Sequence, residues 1–384
     1  MKKLKVIIIL MTVIFLTFGL FSYSWGAGEE EILVGNIQDM SAGTAIWGQN
    51  DTNGILLAAE EINALGGILG KKIRVITYDT KGDPTEAINA YNRLVDLDKV
   101  VAVLGPPTSN VGIPLAPIAE RKKVPVIGDF MDERATTHSG GVWNFMFLTE
   151  PSCSEQAEIA ASYALKELKL SKFAVIYNKA NSYSVNMAIP FMAYVIKHGG
   201  EILITETYLF GDTEFGAQCT KIKNANPEAV FVPGYVQDNA LIAKQLRGIG
   251  VDVPIIGNNS WYVPLIELAG PAANNTYFPN NMATDIPRFQ EFMKRYEKRF
   301  GMEALIHALM GYDNMNILTE AIKKAGKLDP IAIKDAIEQT DHAGVMGRIK
   351  FNPQTHRPDR MPLIMLKIEN EEFVTLGEYL PPLD

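Results

Sequence analysis

The sequence predicts an α/β protein made of two doubly wound blocks, and three observations carry that prediction. Short apolar runs alternate with stretches of helical periodicity along most of the chain, the pattern of strand–helix–strand units with parallel strands. Residues 100–128, VVAVLGPPTSNVGIPLAPIAERKKVPVIG, compress one such unit into a single stretch. Residues 32–145 and 152–275 have similar length and the same order of elements, although no sequence repeat relates them.

The first 26 residues stand apart from this pattern. Lys2, Lys3 and Lys5 precede an apolar run from Val6 to Phe21, and the segment Ser22 to Gly28 follows. A basic start, an apolar middle and a small-residue exit are the features of a secretory signal peptide. Ser24 and Gly26 fit the −3 and −1 positions, so the mature chain is expected to begin at Ala27. A retained membrane anchor competes with this reading, but the run is short for a span. No cysteine lies near the exit, which speaks against a lipid anchor.

Ile32 to Ile37 then reads as the first strand. Gly48 to Leu65 reads as a helix with apolar Ile55, Leu56, Ala59 and Ile62, stopped by Gly66-Gly67. Ile73 to Tyr78 is a strand. Asp83-Pro84-Thr85-Glu86 supplies an N-cap, a proline at N1 and an acid at N3, so a helix starts there and runs to about Leu97. In the central unit, Val100 to Leu104 is a buried strand broken by Gly105-Pro106-Pro107. Ile113, Ala116, Pro117 and Ile118 mark the next helix, and Val124 to Ile127 the next strand.

The second block restarts with a helix over 152–169. Strands over 173–177, 201–208, 229–232 and 253–256 follow, separated by helices over 183–198, 214–224 and 237–248. The tail reads as helices over 286–300, 303–325 and 330–338, then strands over 345–351 and 363–368. Helices without a sheet of their own must pack on an existing one. The tail is therefore expected to return to the first lobe and end in the second. This places the signal segment at 1–26, lobe 1 at 32–147 plus 280–348, and lobe 2 at 150–277 plus 350–384. The lobes are expected to be linked by strands near Phe145–Glu150, Tyr277–Asn281 and Arg348–Phe351.

Composition narrows the function classes. The chain is 47% hydrophobic and 21% charged, ordinary for a globular protein. Its formal charge is −8, and it becomes more acidic once the three N-terminal lysines leave. An acidic exported protein is a poor partner for nucleic acid or anionic lipid. No later stretch is long and apolar enough to span a membrane, so a soluble mature chain is expected. Cys153 and Cys219 could pair in an oxidising compartment. No Cys/His spacing resembles a metal site. The nucleophile elbow, the P-loop and the H-E-x-x-H motif are absent, so neither cofactor nor metal is expected.

In an open α/β sheet, ligands sit outside the carboxyl ends of the strands, where loop N–H groups meet a helix N-terminus. The loop Pro107-Thr108-Ser109-Asn110 is such a place, with free N–H donors and two hydroxyls suited to a carboxylate. Ser109 equally fits a plain helix cap. The five histidines, His138, His198, His307, His342 and His356, show no mutual pattern and read as structural or solvated.

Several short motifs, in this order and spacing, resemble the leucine/isoleucine/valine-binding protein family, the type I periplasmic binding proteins that feed ABC transporters. They are Ala45-Ile46-Trp47-Gly48, Asn53-Gly54, the run from Glu60 to Gly70, Tyr78-Asp79-Thr80, Asp83-Pro84, Leu104-Gly105-Pro106 and Val124-Pro125-Val126-Ile127. The resemblance spans essentially the whole mature chain. It implies two Rossmann-like lobes joined by a multi-strand hinge, closing on a small ligand without catalysis. It also implies membrane permease subunits as partners, a periplasmic location and a monomer.

The family's ligand positions fall on Trp47, on Pro107, Thr108 and Ser109, on Met131 and Asp132, on Tyr183, and on Tyr235 after Gly234. One position departs. Members that bind amino acids often carry an acid after the fourth strand of lobe 2, where this chain has Gly257-Asn258-Asn259-Ser260. Asn259 is taken as the ligand contact there. Asp132 is expected to receive a ligand ammonium instead, with Asp238 as a second candidate. Asp132 also fits a helix cap. The ligand expected from the resemblance is a branched-chain or other apolar amino acid. The alternatives are a non-amino carboxylate such as an aromatic or keto acid, or an amide; an exported enzyme is the remaining class.

Overall fold

The computed structural model describes residues 31–383; the signal segment at 1–26 lies outside them. Strand β1 (Ile32–Gln38) is almost wholly buried and pairs in parallel with β2 (Ile73–Asp79) and β3 (Val103–Leu104). Strands β4 (Val126–Gly128) and β5 (Met146–Leu148) complete a parallel sheet of order β2-β1-β3-β4-β5. Helices α1 (Ala45–Ala64), α2 (Pro84–Asp96) and α3 (Ser109–Lys122) connect its strands. The start of α2 follows the sequence: the Asp83 carboxylate accepts from the N–H groups of Thr85 and Glu86.

The second lobe opens with α4 (Cys153–Lys166), capped by Ser152 and Glu155, which satisfy each other's backbone N–H groups. It continues with β6 (Lys172–Asn178), α5 (Ser182–Lys197), β7 (Glu201–Tyr208), α6 (Gly216–Ala225), β8 (Ala229–Phe231), α7 (Val236–Gly248) and β9 (Ile255–Ile256). Three further elements follow. They are α8 (Val263–Ala269), β10 (Thr276–Asn280) and the last strand, β12 (Glu372–Tyr379), which pairs antiparallel with β11 (Leu363–Glu369). Of these, α8 and β12 lie beyond the sequence reading. The second sheet runs β12-β11-β10-β9-β8-β6-β7. The linking strand expected near Tyr277–Asn281 is β10, one residue offset at each end.

The tail returns to the first lobe through α9 (Pro287–Phe300) and α10 (Ile306–Ala325). Helix α10 lies directly against α1 because glycines let the backbones meet. A Cβ on Gly54 would sit 2.0 Å from the Ala308 carbonyl oxygen, and one on Gly311 would sit 2.2 Å from the Asp51 carbonyl oxygen. This contact sets the N-terminus of α10 beside Trp47. Past α11 (Pro330–Glu338), Arg348–Asn352 does not cross between lobes, as the sequence reading has it. It pairs with Asp341–Ala343 and Arg357–Pro358 in a small separate sheet, and the chain enters the second sheet only at Leu363. Among the described residues no helix is long and apolar enough to cross a membrane.

Candidate functional site

The loops at the carboxyl ends of the parallel strands converge on one cavity between the lobes, as the sheet rule requires. Lobe 1 contributes Trp47 from α1, Pro107, Thr108 and Ser109 from the β3–α3 loop, and Asp129 and Met131 after β4. Lobe 2 contributes Tyr183 at the start of α5, Tyr235 before α7, and Asn259, Ser260 and Tyr262 after β9. Ile306 and His307, from the first turn of α10, close the wall. Eight of the nine residues singled out from sequence therefore lie together. The cavity volume in this conformation is only about 30 Å³, room for about two waters on the usual scale.

Ser109 is not a cap. Thr108 holds the N-cap position of α3 without a side-chain cap bond, and Ser109 is the first helical residue. The Ser109 hydroxyl oxygen accepts the Asp132 N–H at 3.1 Å, which ties the two lobe 1 loops together. Its own proton remains free to donate. With the adjacent helix N-terminus this gives a buried donor set for a carboxylate oxygen. The backbone reaches this geometry through Gly105, whose φ is +84°; a Cβ there would lie 2.2 Å from the Ile37 carbonyl oxygen.

The remaining wall is aromatic. The His307 ring stacks on Trp47 with centroids 5.1 Å apart and planes 9° apart, and Tyr235 meets Trp47 edge-on at 4.8 Å. Tyr183 donates its hydroxyl to the Asn259 side-chain oxygen at 2.6 Å. Burial raises the pKa of Tyr183, Tyr235 and Tyr262, so all three phenols stay neutral donors. Burial lowers the pKa of His307 to about 3, so its ring is neutral, and its Nδ1 has no partner. Reading His307 as structural or solvated was therefore incomplete.

Asp132 stands outside the cavity. It is fully buried, caps the short helix Glu133–Ala135, and accepts from the Arg134 N–H at 3.0 Å and the Arg134 Nε at 2.9 Å. An ion pair to the Arg134 guanidinium engages its other oxygen. Both carboxylate oxygens are taken, which removes Asp132 as an ammonium partner and leaves the cap. Asp238 is also absent from this cavity; its Oδ2 accepts from the Tyr208 hydroxyl at 3.2 Å.

The carboxylate that does line the cavity is Asp129. Its Oδ1 accepts from Asn314 at 3.1 Å, and Asn314 in turn accepts from Thr149 at 2.6 Å. Asp129 belongs to a buried group of acids with Asp51 of α1 and Glu150 of the first lobe connection. Burial raises the pKa of all three, and mutual repulsion adds to the rise at Asp51 and Glu150. Asn281, in the second connection, donates to Glu150 at 3.3 Å.

Hydrogen bonds also span the cleft. Asn110 of lobe 1 accepts from the Ser182 N–H at 2.9 Å, Trp47 Nε1 donates to the Tyr262 hydroxyl, and Asn186 donates to Glu133. The lobes are closed in this structure. Cys153 and Cys219 are buried and free, not paired. Among the described residues no cluster of His, Cys, Asp and Glu is arranged to hold a metal ion.

Comparison with known proteins agrees with this architecture. The family described as periplasmic binding protein matches residues 31–371. A Leu/Ile/Val-binding protein, BraC3 of Rhizobium johnstonii, is 28% identical over 315 residues, covering 80% of this chain and 84% of the relative. The branched-chain amino acid transporter substrate-binding protein LivJ of Streptococcus pneumoniae, solved with isoleucine, superposes with a TM-score of 0.82 at 28% identity. That match covers 91% of this chain and 99% of LivJ. A solute-binding protein from R. palustris, solved with benzoate, superposes with a TM-score of 0.81 over 92% of this chain and 97% of its own; at 20% identity it speaks for the fold alone.

Proposed function

Because the chain belongs to the periplasmic binding protein family, and is thus a solute-binding component of an ABC transporter rather than an enzyme, we propose that it closes on a small apolar amino acid whose carboxylate sits on the Ser109 loop. The observation that carries this reading is the Ser109 hydroxyl, buried at the N-terminus of α3 with its proton unspent. Thr108, the Tyr183 hydroxyl and the aromatic rings would complete the carboxylate and side-chain contacts. Asp129, the acid on the cavity wall, would offset the ammonium charge, because an enclosed ammonium is costly without a partner. The LivJ relative that is 28% identical holds isoleucine, which supports the same class. Removal of residues 1–26, periplasmic release, permease subunits as partners and a monomeric state belong to this proposal.

A second reading is a planar aromatic acid, favoured by the rings of Trp47, Tyr183, Tyr235 and Tyr262 and by the neutral His307 around one cavity. Calorimetry with isoleucine, its keto acid and benzoate separates the two. The amino-acid reading expects isoleucine to bind most tightly, and preference for the keto acid or benzoate refutes it. Ser109→Ala should weaken the preferred ligand about tenfold or more, from the roughly 1.5–3 kcal/mol of a hydrogen bond to a charged group. An unchanged affinity would remove the Ser109 loop from the site.

A further inference from the structure

A second, larger cavity of about 450 Å³ lies just outside the first. The two share Trp47, Tyr235 and Tyr262, so these rings form a wall common to both. The outer wall draws apolar groups from both lobes: Ile46, Phe210 and Leu268 line it and are 45%, 50% and 46% exposed. Apolar side chains held half in water around one concavity are the mark of a surface awaiting cover. Among the described residues the charged groups on this wall are Asp212 and Asp238, with no lysine, arginine or histidine beside them in its lining. Asp238 is largely withdrawn from solvent, and burial raises its pKa to about 6. Its recorded side-chain partner is the neutral Tyr208 hydroxyl.

We propose that this outer chamber is a second ligand subsite, which takes the far end of an elongated ligand that is apolar along its length and positively charged at its tip. The assignment rests on the reading that the ligand's carboxylate sits on the Ser109 loop. Three features argue for a ligand tail as the occupant. The chamber adjoins the inner cavity across a wall that both share, Trp47, Tyr235 and Tyr262. It is built by both lobes, so it exists as such only when they are closed. Its charge is of one sign. The rings of Trp47, Tyr235 and Tyr262 would have to part around such a ligand, and the Trp47–Tyr262 hydrogen bond would open.

The test uses the full-length mature protein and three L-amino acids with the same head: isoleucine, 2-aminooctanoate and 2,8-diaminooctanoate. Calorimetry at about pH 8 keeps Asp238 ionised. Asp238→Asn should weaken the diamino ligand about tenfold and leave the other two within about twofold. Phe210→Ala should weaken both long ligands and spare isoleucine. Equal affinity of wild type, Asp238→Asn and Phe210→Ala for the diamino ligand overturns the inference, as does failure of both long ligands to bind where isoleucine binds. Ser109→Ala isolates the reading beneath it. If Ser109→Ala leaves all three ligands unchanged while Asp238→Asn still weakens the diamino ligand, the carboxylate assignment fails and the outer chamber stands as a cation-binding subsite.

Discussion

Replacing Asp51 by asparagine should flatten the pH dependence of stability and make the protein more stable in mild alkali. Asp51, Asp129 and Glu150 are each buried, and each has its pKa raised, first by desolvation. A carboxyl whose folded pKa exceeds its unfolded pKa binds more protons folded than unfolded. Its contribution is therefore full in acid and is lost as pH rises from the ordinary carboxylate range to the raised value. Within that window each group contributes a slope of about −1.4 kcal/mol per pH unit. Asp51 is the member of the Asp51–Asp129 pair that keeps its proton, because the repulsion of Asp129 and Glu150 adds to its burial, whereas Asp129 also accepts from Asn314. An asparagine amide can donate to Asp129 as the protonated acid does, in nearly the same shape. Asp51→Asn should thus remove one group's slope and gain on the wild type by about 1.4 kcal/mol for each pH unit of the window crossed. Urea unfolding followed by circular dichroism at several values from about pH 5 to about pH 8 reads both slopes. Parallel curves for wild type and variant would refute the shared-proton account of this cluster.

Three further outcomes follow from the cavity. His307→Phe keeps the stack on Trp47 but removes a ring whose pKa is lowered to about 3; the wild type should lose stability as pH falls from about 6.5 toward 3, and the variant should lose less, as melting temperatures across that range will show. Asp132→Asn should lower thermal stability by breaking the Arg134 pair and leave isoleucine affinity within about twofold, where the usual loss for a buried charge partner of a ligand is about 2–5 kcal/mol. Tyr262→Phe removes the acceptor of the Trp47 indole N–H across the cleft. At about 0.5–1.5 kcal/mol for such a bond, isoleucine release measured by stopped-flow tryptophan fluorescence should speed up about twofold to tenfold.

The fold was legible where local chemistry decides it. Asp83-Pro84-Thr85-Glu86 and Ser152 with Glu155 mark helix starts that the structure keeps, because caps act over three residues and need no tertiary help. The misses came where the chain borrows order from elsewhere. Strand β12 alternates around Gly377 and finds its partner only because β11 already lies on β10. Arg348–Asn352 has the length and pattern of a lobe connection, but pairing with Asp341–Ala343 holds it in a small sheet. The site divides the same way. The loops after β3, β6, β8 and β9 were readable because each follows a strand of its own sheet. Tyr262 lies three residues past Asn259 in one of those loops and was within reach of the same rule. His307 was not: it enters from a helix more than 250 residues from Trp47, carried there by the glycine contacts of α1 and α10. Asp132 was misplaced because sequence order gives its loop and not its rotamer, and Arg134, two residues on, captures the carboxylate.

The two polar systems of the cleft have different tasks. The bonds Asn110–Ser182, Trp47–Tyr262 and Asn186–Glu133 join lobe to lobe across the cavity mouth, so each is lost on opening and regained by water. Their net contribution is on the order of 1 kcal/mol apiece, comparable with the few kcal/mol that separate two accessible states of a hinged protein. Thr149 and Glu150 of the first connection and Asn281 of the second are instead bonded in the buried interior, Thr149 through Asn314 to Asp129 on the cavity wall and Asn281 to Glu150, where a rotation about the hinge need not expose them. Closure is therefore lightly held at the mouth and firmly guided at the hinge. A ligand held on the Ser109 loop of lobe 1 biases closure only through the bonds it adds to lobe 2, at Tyr183 or Tyr235; even one such bond to a charged group, about 1.5–3 kcal/mol, outweighs any single mouth contact and can decide which state is populated.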